Sequence, residues 1–139
     1  MNLRKHLAAV LAGDARYTWQ AYLFLFEALE HAKTRKQRAK TRVRERRRAA
    51  GRESHHVTGP ELCEGARDLA LQQYGLLARL VLSQWGIRST SDLGEIVYNL
   101  IAAGHLEKTE SDRRSDFDGV FEFESAFSRS DVLLLDSDA

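Results

Sequence analysis

Between Tyr74 and Glu110 the chain carries two apolar segments of helical period joined by a short turn, and few arrangements bury both. In the second, Leu93, Ile96, Val97, Leu100 and Ile101 recur at i, i+3, i+4, i+7 and i+8, which makes one stripe down a helix. In the first, Leu76, Leu77, Leu80, Val81, Leu82 and Trp85 leave only Arg79, Ser83 and Gln84 for water. Gly86 and Gly104 stand where a left-handed residue ends a helix. Ser89, Thr90 and Ser91 offer N-cap oxygens to the second helix, and Asp92 puts a negative charge in its first turn. Helix, turn, helix and then a strand-like segment is the order of a winged-helix core. That is a shape, and shape alone does not assign function.

The flanks supply more helix. Asn2 to Leu11 has Leu3, Leu7, Val10 and Leu11 on one side. A second helix follows Gly13, with Thr18 as an expected N-cap and Trp19, Tyr22, Leu23, Phe26 and Leu29 on one face, which Phe24 and Leu25 widen. Its aromatics are expected to pack the core rather than stack on a ligand. Thr58 and Glu61 stand in capping-box spacing, with Pro60 early in the helix, and Leu62, Ala66, Leu69 and Ala70 are expected to face inward. After Gly104, HLEKT and GVFEFE alternate as two short strands would, with the polar SDRRSDFD between them. The expected class is therefore mainly α with some β. It is a helical domain over residues 1–128, with a winged-helix-like helix-turn-helix, a small C-terminal β-hairpin, and a tail at 129–139.

Charge divides the chain sharply. The net charge is only +1. Yet residues 33–52 hold eleven Lys or Arg against one acid, Glu45, a local charge of +10. Everything else sums to −9, and residues 107–139 alone to −6. The basic segment contains almost no apolar residue, and nothing in it before Gly51 breaks a helix. It is expected to be a helical or disordered arm of roughly 30 Å if fully helical. Such density of cations is an electrostatic footprint for a polyanion, RNA first. Arg35, Lys36, Arg38, Lys40, Arg42, Arg44, Arg46, Arg47 and Arg48 are the expected phosphate contacts.

Other chemistries leave weaker traces. Cys63 is the single cysteine, so an internal disulfide is excluded and a reducing compartment fits. The apolar run near the start is broken by charge and glycine too early for an export segment, and no run reaches the roughly 18 residues that span a membrane. The expected location is cytoplasmic. His55, His56, Cys63 and His105 show no CxxC or HExxH spacing, and no metal or other cofactor is expected. DNA reading by the second helix of the central pair is disfavoured. Its outer side carries Asp92 and Glu95, which repel phosphate, beside Tyr98 and Asn99.

Five blocks also carry a resemblance. They are DARYTWQAYLFLFEAL, HVTGPEL with GARDLAL, YGLLARLVLSQWGI, TSDLGEIVYNLI, and GHLEKTESD with DFDGVFEFESAF. Together they span most of Asp14 to Phe127, and they resemble a family of short, functionally uncharacterised bacterial proteins. The chain departs from that pattern at Pro60, where the family looks more like glutamine, and before His56, where the basic run looks like an elaboration. The resemblance implies no catalytic role. The expectation is a non-enzymatic binding module contacting RNA or a ribonucleoprotein through the arm. The alternative is a protein–protein adaptor using Tyr98 and Asn99, with the arm on an acidic partner. A distant third is an enzyme drawing on His56, Thr58, Arg67, Asn99 and Asp116, without an assigned catalytic set.

Overall fold

A computed structural model describes residues 3–44, 56–110 and 112–128 of the chain. Among them the order is α1 (Leu3–His6), α2 (Ala8–Gly13), α3 (Trp19–Arg44), α4 (Gly59–Tyr74), a 3-10 turn at Gly75–Leu77, α5 (Ala78–Gln84), α6 (Thr90–Ala102), a second 3-10 turn at Arg114–Phe117, and α7 (Phe123–Ala126). No described helix is long and apolar enough to cross a membrane.

The helix α3 is the spine. Its first half buries Ala21, Tyr22, Phe24, Leu25, Ala28 and Ala32, a face at helical period. That face lies along α4, which turns Leu62, Ala66, Leu69 and Ala70 inward as the pattern predicts, and buries Cys63 beside them. The α4 start is the expected capping box: the Thr58 hydroxyl accepts from the Glu61 amide, and the Glu61 carboxylate accepts from the Thr58 amide. Ser89 and Asp92 build the same box at the start of α6. Thr18 does precede α3, but its buried hydroxyl has no hydrogen-bond partner among the described residues, so it is no side-chain cap.

The stripe on α6 is in place: Leu93, Ile96 and Leu100 are buried, Val97 packs partly buried against the core, and Ile101 is partly buried. Burying each such side chain contributes roughly 1.5–3 kcal/mol. Between α5 and α6, Gly86 has φ 97°, and a Cβ there would stand 2.1 Å from the Arg16 carbonyl oxygen. The turn therefore requires glycine for its conformation and for the close approach of the 14–18 segment. The first apolar segment differs from its pattern. A 3-10 turn after Gly75 re-phases the chain, and α5 has only seven residues. It buries Ala78 and Leu82, while Leu76, Leu77 and Leu80 are 62%, 59% and 56% exposed.

The C-terminal hairpin is corrected: no strand occurs among the described residues. Two aspartates fold the connection into turns by capturing backbone amides. Thr109 N–H donates to Asp112 Oδ2 at 2.9 Å, and Arg113 N–H donates to Asp116 Oδ2 at 3.0 Å. The phenylalanines then pack inward instead of alternating across a sheet. Phe117 presses on α6 so closely that a Cβ on Gly94 would lie 2.7 Å from its own Cβ. Phe123 and Phe127 meet edge to face at 5.0 Å, the i, i+4 contact of the one-turn helix α7. Val120 N–H donates to the buried Thr90 hydroxyl, and Arg67 Nε donates to the Ala126 carbonyl, which fastens this segment to α6 and α4. The helix pair α5–α6 thus has no β-wing beside it among the described residues.

Candidate nucleic-acid interface

The arm is the second half of α3. The helix passes from its buried face into KTRKQRAKTRVR without interruption and continues to Arg44. Helical spacing sorts its cations into two rows. Lys33, Lys36, Lys40 and Arg44 stand at i, i+3, i+7 and i+11; Arg35, Arg38 and Arg42 stand at i, i+3 and i+7. Over the twelve residues from Lys33 to Arg44 the backbone rises about 18 Å.

One early cation of each row is engaged by the body, while Lys33 pairs with Glu30 of the same helix. Arg35 pairs with Asp68 of α4 at 3.0 Å, and Lys36 pairs with Glu61 at 3.1 Å. Lys36 Nζ also donates to the His56 carbonyl. Burial would raise the Glu61 carboxyl, but the Thr58 amide and Lys36 hold it below its ordinary value. So two of the nine expected phosphate contacts already have carboxylate partners. Arg38 is exposed. Lys40, Arg42 and Arg44 lie on the helix, with their side chains outside the described atoms. Arg46, Arg47 and Arg48 lie outside the described residues. Charge patterning found the arm but not its anchors. The Thr58–Glu61 spacing marked Glu61 as a capping residue, not as the partner of Lys36, and Asp68 carried no local signal.

The two expected partner-binding residues have internal roles. Asn99 Nδ2 donates to Asp14 Oδ2 at 2.9 Å and to the Tyr22 hydroxyl at 3.1 Å. The Tyr98 hydroxyl is buried, and the Arg114 guanidinium sits 5.1 Å from its ring centre. Neither presents its polar atoms outward as an adaptor surface requires. The residues named for an enzyme are separated by duty. Thr58 caps α4, Arg67 holds α7, Asp116 closes a turn, and His56 Nε2 is 2.8 Å from Asp112 Oδ1. Burial would raise the Asp112 carboxyl, yet the Thr109 amide and His56 hold it below its ordinary value. Cys63 is fully buried, and burial pushes its thiol up to about 12, which suits a packing residue and not a nucleophile. No group of three metal-ligating side chains converges among the described residues.

Comparison with known proteins returned no match, whether by family model, by curated sequence or by solved structure.

Proposed function

We propose that the protein is a non-enzymatic binding module that holds RNA through the basic half of α3 and the residues following it. The observation that supports this most is the continuity of α3 from core to arm. A dense row of cations grows from a buried, tertiary-packed helix, so part of the ordering cost of an arginine-rich segment is met before any ligand arrives. The rest of the chain carries −9, which repels phosphate from the body and confines it to the arm.

Binding should show little sequence preference and fall steeply with salt. If about five or six phosphates are engaged on a single strand, log K against log salt should have a slope near −4. Replacing Arg46, Arg47 and Arg48 by alanine should flatten that slope by about two while leaving the thermal melt of the body unchanged. Fluorescence titrations with an unstructured oligoribonucleotide at three salt concentrations test it. Affinity that ignores salt, or that survives deletion of residues 33–52, would remove RNA.

One observation favours the adaptor as a second reading, at a different place from Tyr98 and Asn99. Leu76, Leu77 and Leu80 are each more than half exposed within five residues, which is the kind of clustered apolar surface that protein contacts use.

A further inference from the structure

Every large apolar side chain left exposed among the described residues stands at one end of the α3–α4 pair: Leu76, Leu77 and Leu80, joined by Leu23, which is 37% exposed. The antiparallel register brings Leu23 to the others. Ala32 lies against Gly65 and Glu27 meets Gln73, so one turn back along α3 reaches the level of the 3-10 turn at Gly75–Leu77. Beneath this end Phe24 packs on Trp85 and Trp85 on Tyr74, with ring centres 5.9 and 5.8 Å apart, which draws α3, α4 and α5 together. Scattered exposed leucines are ordinary, whereas a cluster with a polar rim marks a protein contact. The rim here holds one acid and one base, both exposed and neither in an ion pair among the described residues. Glu27, one turn from Leu23, takes the neutral Gln73 amide at 3.5 Å. Arg79 stands between Leu76 and Leu80 in sequence.

From this juxtaposition, we infer that the leucine face binds a second copy of the same chain about a two-fold axis, with Arg79 of each copy opposite Glu27 of the other. The rim charges choose this occupant. A two-fold contact presents one patch twice, so the patch must carry both members of every pair it makes. This one does, with an acid on α3, a base on α5 and leucines beside each. An acidic peptide would set like charge on Glu27, and a basic one would do the same to Arg79. An anionic lipid surface is met by an excess of Lys and Arg around the apolar residues, whereas here one base is matched by one acid. The leucines supply the affinity, and the paired charges fix the register. The inference rests on the second reading above, whose partner it names. It uses no residue of the arm, which begins at Lys33, so it needs no RNA.

The test is sedimentation equilibrium of the full chain after nuclease treatment, so that no RNA bridges the arms. The parent should show a reversible monomer–dimer equilibrium with a Kd on the order of micromolar, as small interfaces do. Leu77→Lys changes an exposed position, so it should melt as the parent does and raise the Kd about tenfold or more. Glu27→Arg and Arg79→Glu each place two like-charge pairs across the axis and should each weaken self-association roughly three- to tenfold. Mixing these two variants should return association to the parent level, because both pairs in the mixed dimer are again opposite in charge. Damage to the fold of either variant would not be repaired by mixing. The inference is overturned if the parent stays monomeric at the highest soluble concentration, if Leu77→Lys associates as the parent does, or if the mixture is no tighter than either variant alone. A monomeric parent removes the second copy while leaving the adaptor reading to a foreign partner, and RNA titrations bear on neither.

Discussion

The packed part of α3, up to Lys36, is fastened at both ends with the same chemistry, basic side chains against carboxylates, and the two ends are not equivalent. At the N-terminal end Arg16 forks onto Asp14, with contacts of 2.7 and 2.9 Å. Asn99 Nδ2 donates to Asp14 and also to the Tyr22 hydroxyl oxygen. Beside them the Tyr17 hydroxyl donates to Asp92 at 2.6 Å, and Asp92 receives the Arg88 and Ser89 amides at the head of α6. Tyr17 and Tyr22 are buried, so this web closes over aromatic rings and ties residues 14–22 to α6. At the far end of that part Arg35 pairs with Asp68, and Lys36 with Glu61 and the His56 carbonyl, with 45% of the Arg35 and 22% of the Lys36 side chain exposed. The same charges stabilise little when water competes for them and more when they satisfy buried polar groups.

The sharpest way to break this comparison is Asn99→Ala. It strands the Tyr22 hydroxyl, on a residue with no solvent exposure, and removes one donor from Asp14. The expected loss is about 1–3 kcal/mol, the cost of one buried unsatisfied group. Urea denaturation should show the lower midpoint with an unchanged slope. A loss as small as that of an exposed ion pair would mean that the web follows the packing of α6 without supporting it.

Acid should distinguish the two ends next. The Arg16 guanidinium beside Asp14 holds its carboxyl well below the usual carboxylate range; burial opposes this, and the Asn99 amide adds to it. A carboxyl depressed in the folded state contributes stability that is complete above its unfolded value of 3.8 and is lost as pH falls below that toward the folded one. Asp14→Asn should therefore flatten the acid side of the stability curve below about pH 4. Glu61, also depressed and itself 38% exposed beside Lys36, lies at the other end. Glu61→Gln should flatten the curve in the same sense and by less. Melting temperatures taken at a series of pH values separate the two. Equal flattening would show the two ends to be alike.

How much of this was legible in the sequence depended on distance along the chain. Both capping boxes were readable because their members are three residues apart, and the α6 stripe because its period is local. The arm was readable as charge, and its helicity as the absence of breakers. The web at the N-terminal end was not, because Asn99 is 85 residues from Asp14 and 77 from Tyr22. Asn99 therefore read as a surface residue. Tyr98 was misplaced for a related reason. It follows Val97 on the outer edge of the stripe, and the 112–117 turn folds back onto α6 and sets the Arg114 guanidinium over its ring. The hairpin failed because Phe121 and Phe123 alternate as in a strand, while the i, i+4 pair Phe123–Phe127 makes a helical turn. Over so few residues periodicity cannot choose, and the aspartate turns decided. Leu76, Leu77 and Leu80 were read as core because nothing in their pattern marks the change of phase at the 3-10 turn.

The smallest effect belongs to the root of the arm, and it links the comparison to function. Arg35→Ala should cost about 0.2–1 kcal/mol at low salt, the range for an exposed pair, and less as salt screens it. Asp68, left without Arg35, remains about a quarter exposed with Arg67 4.0 Å away, so no unpaired charge becomes buried. Lys36→Ala should cost slightly more, because Lys36 Nζ also donates to the His56 carbonyl and is better shielded. Both losses should stay below that of Asn99→Ala when the three are measured in one urea series. RNA affinity should rank them differently. Each arm variant removes a cation from a row, and Arg35 gives up a carboxylate partner to meet phosphate, so each should weaken binding by less than replacing the exposed Arg38. Asn99→Ala should leave affinity unchanged wherever the protein remains folded. If Arg35→Ala destabilises the body more than Asn99→Ala does, the root belongs to the core. The second half of α3 is then a structural helix rather than an arm held out for a polyanion.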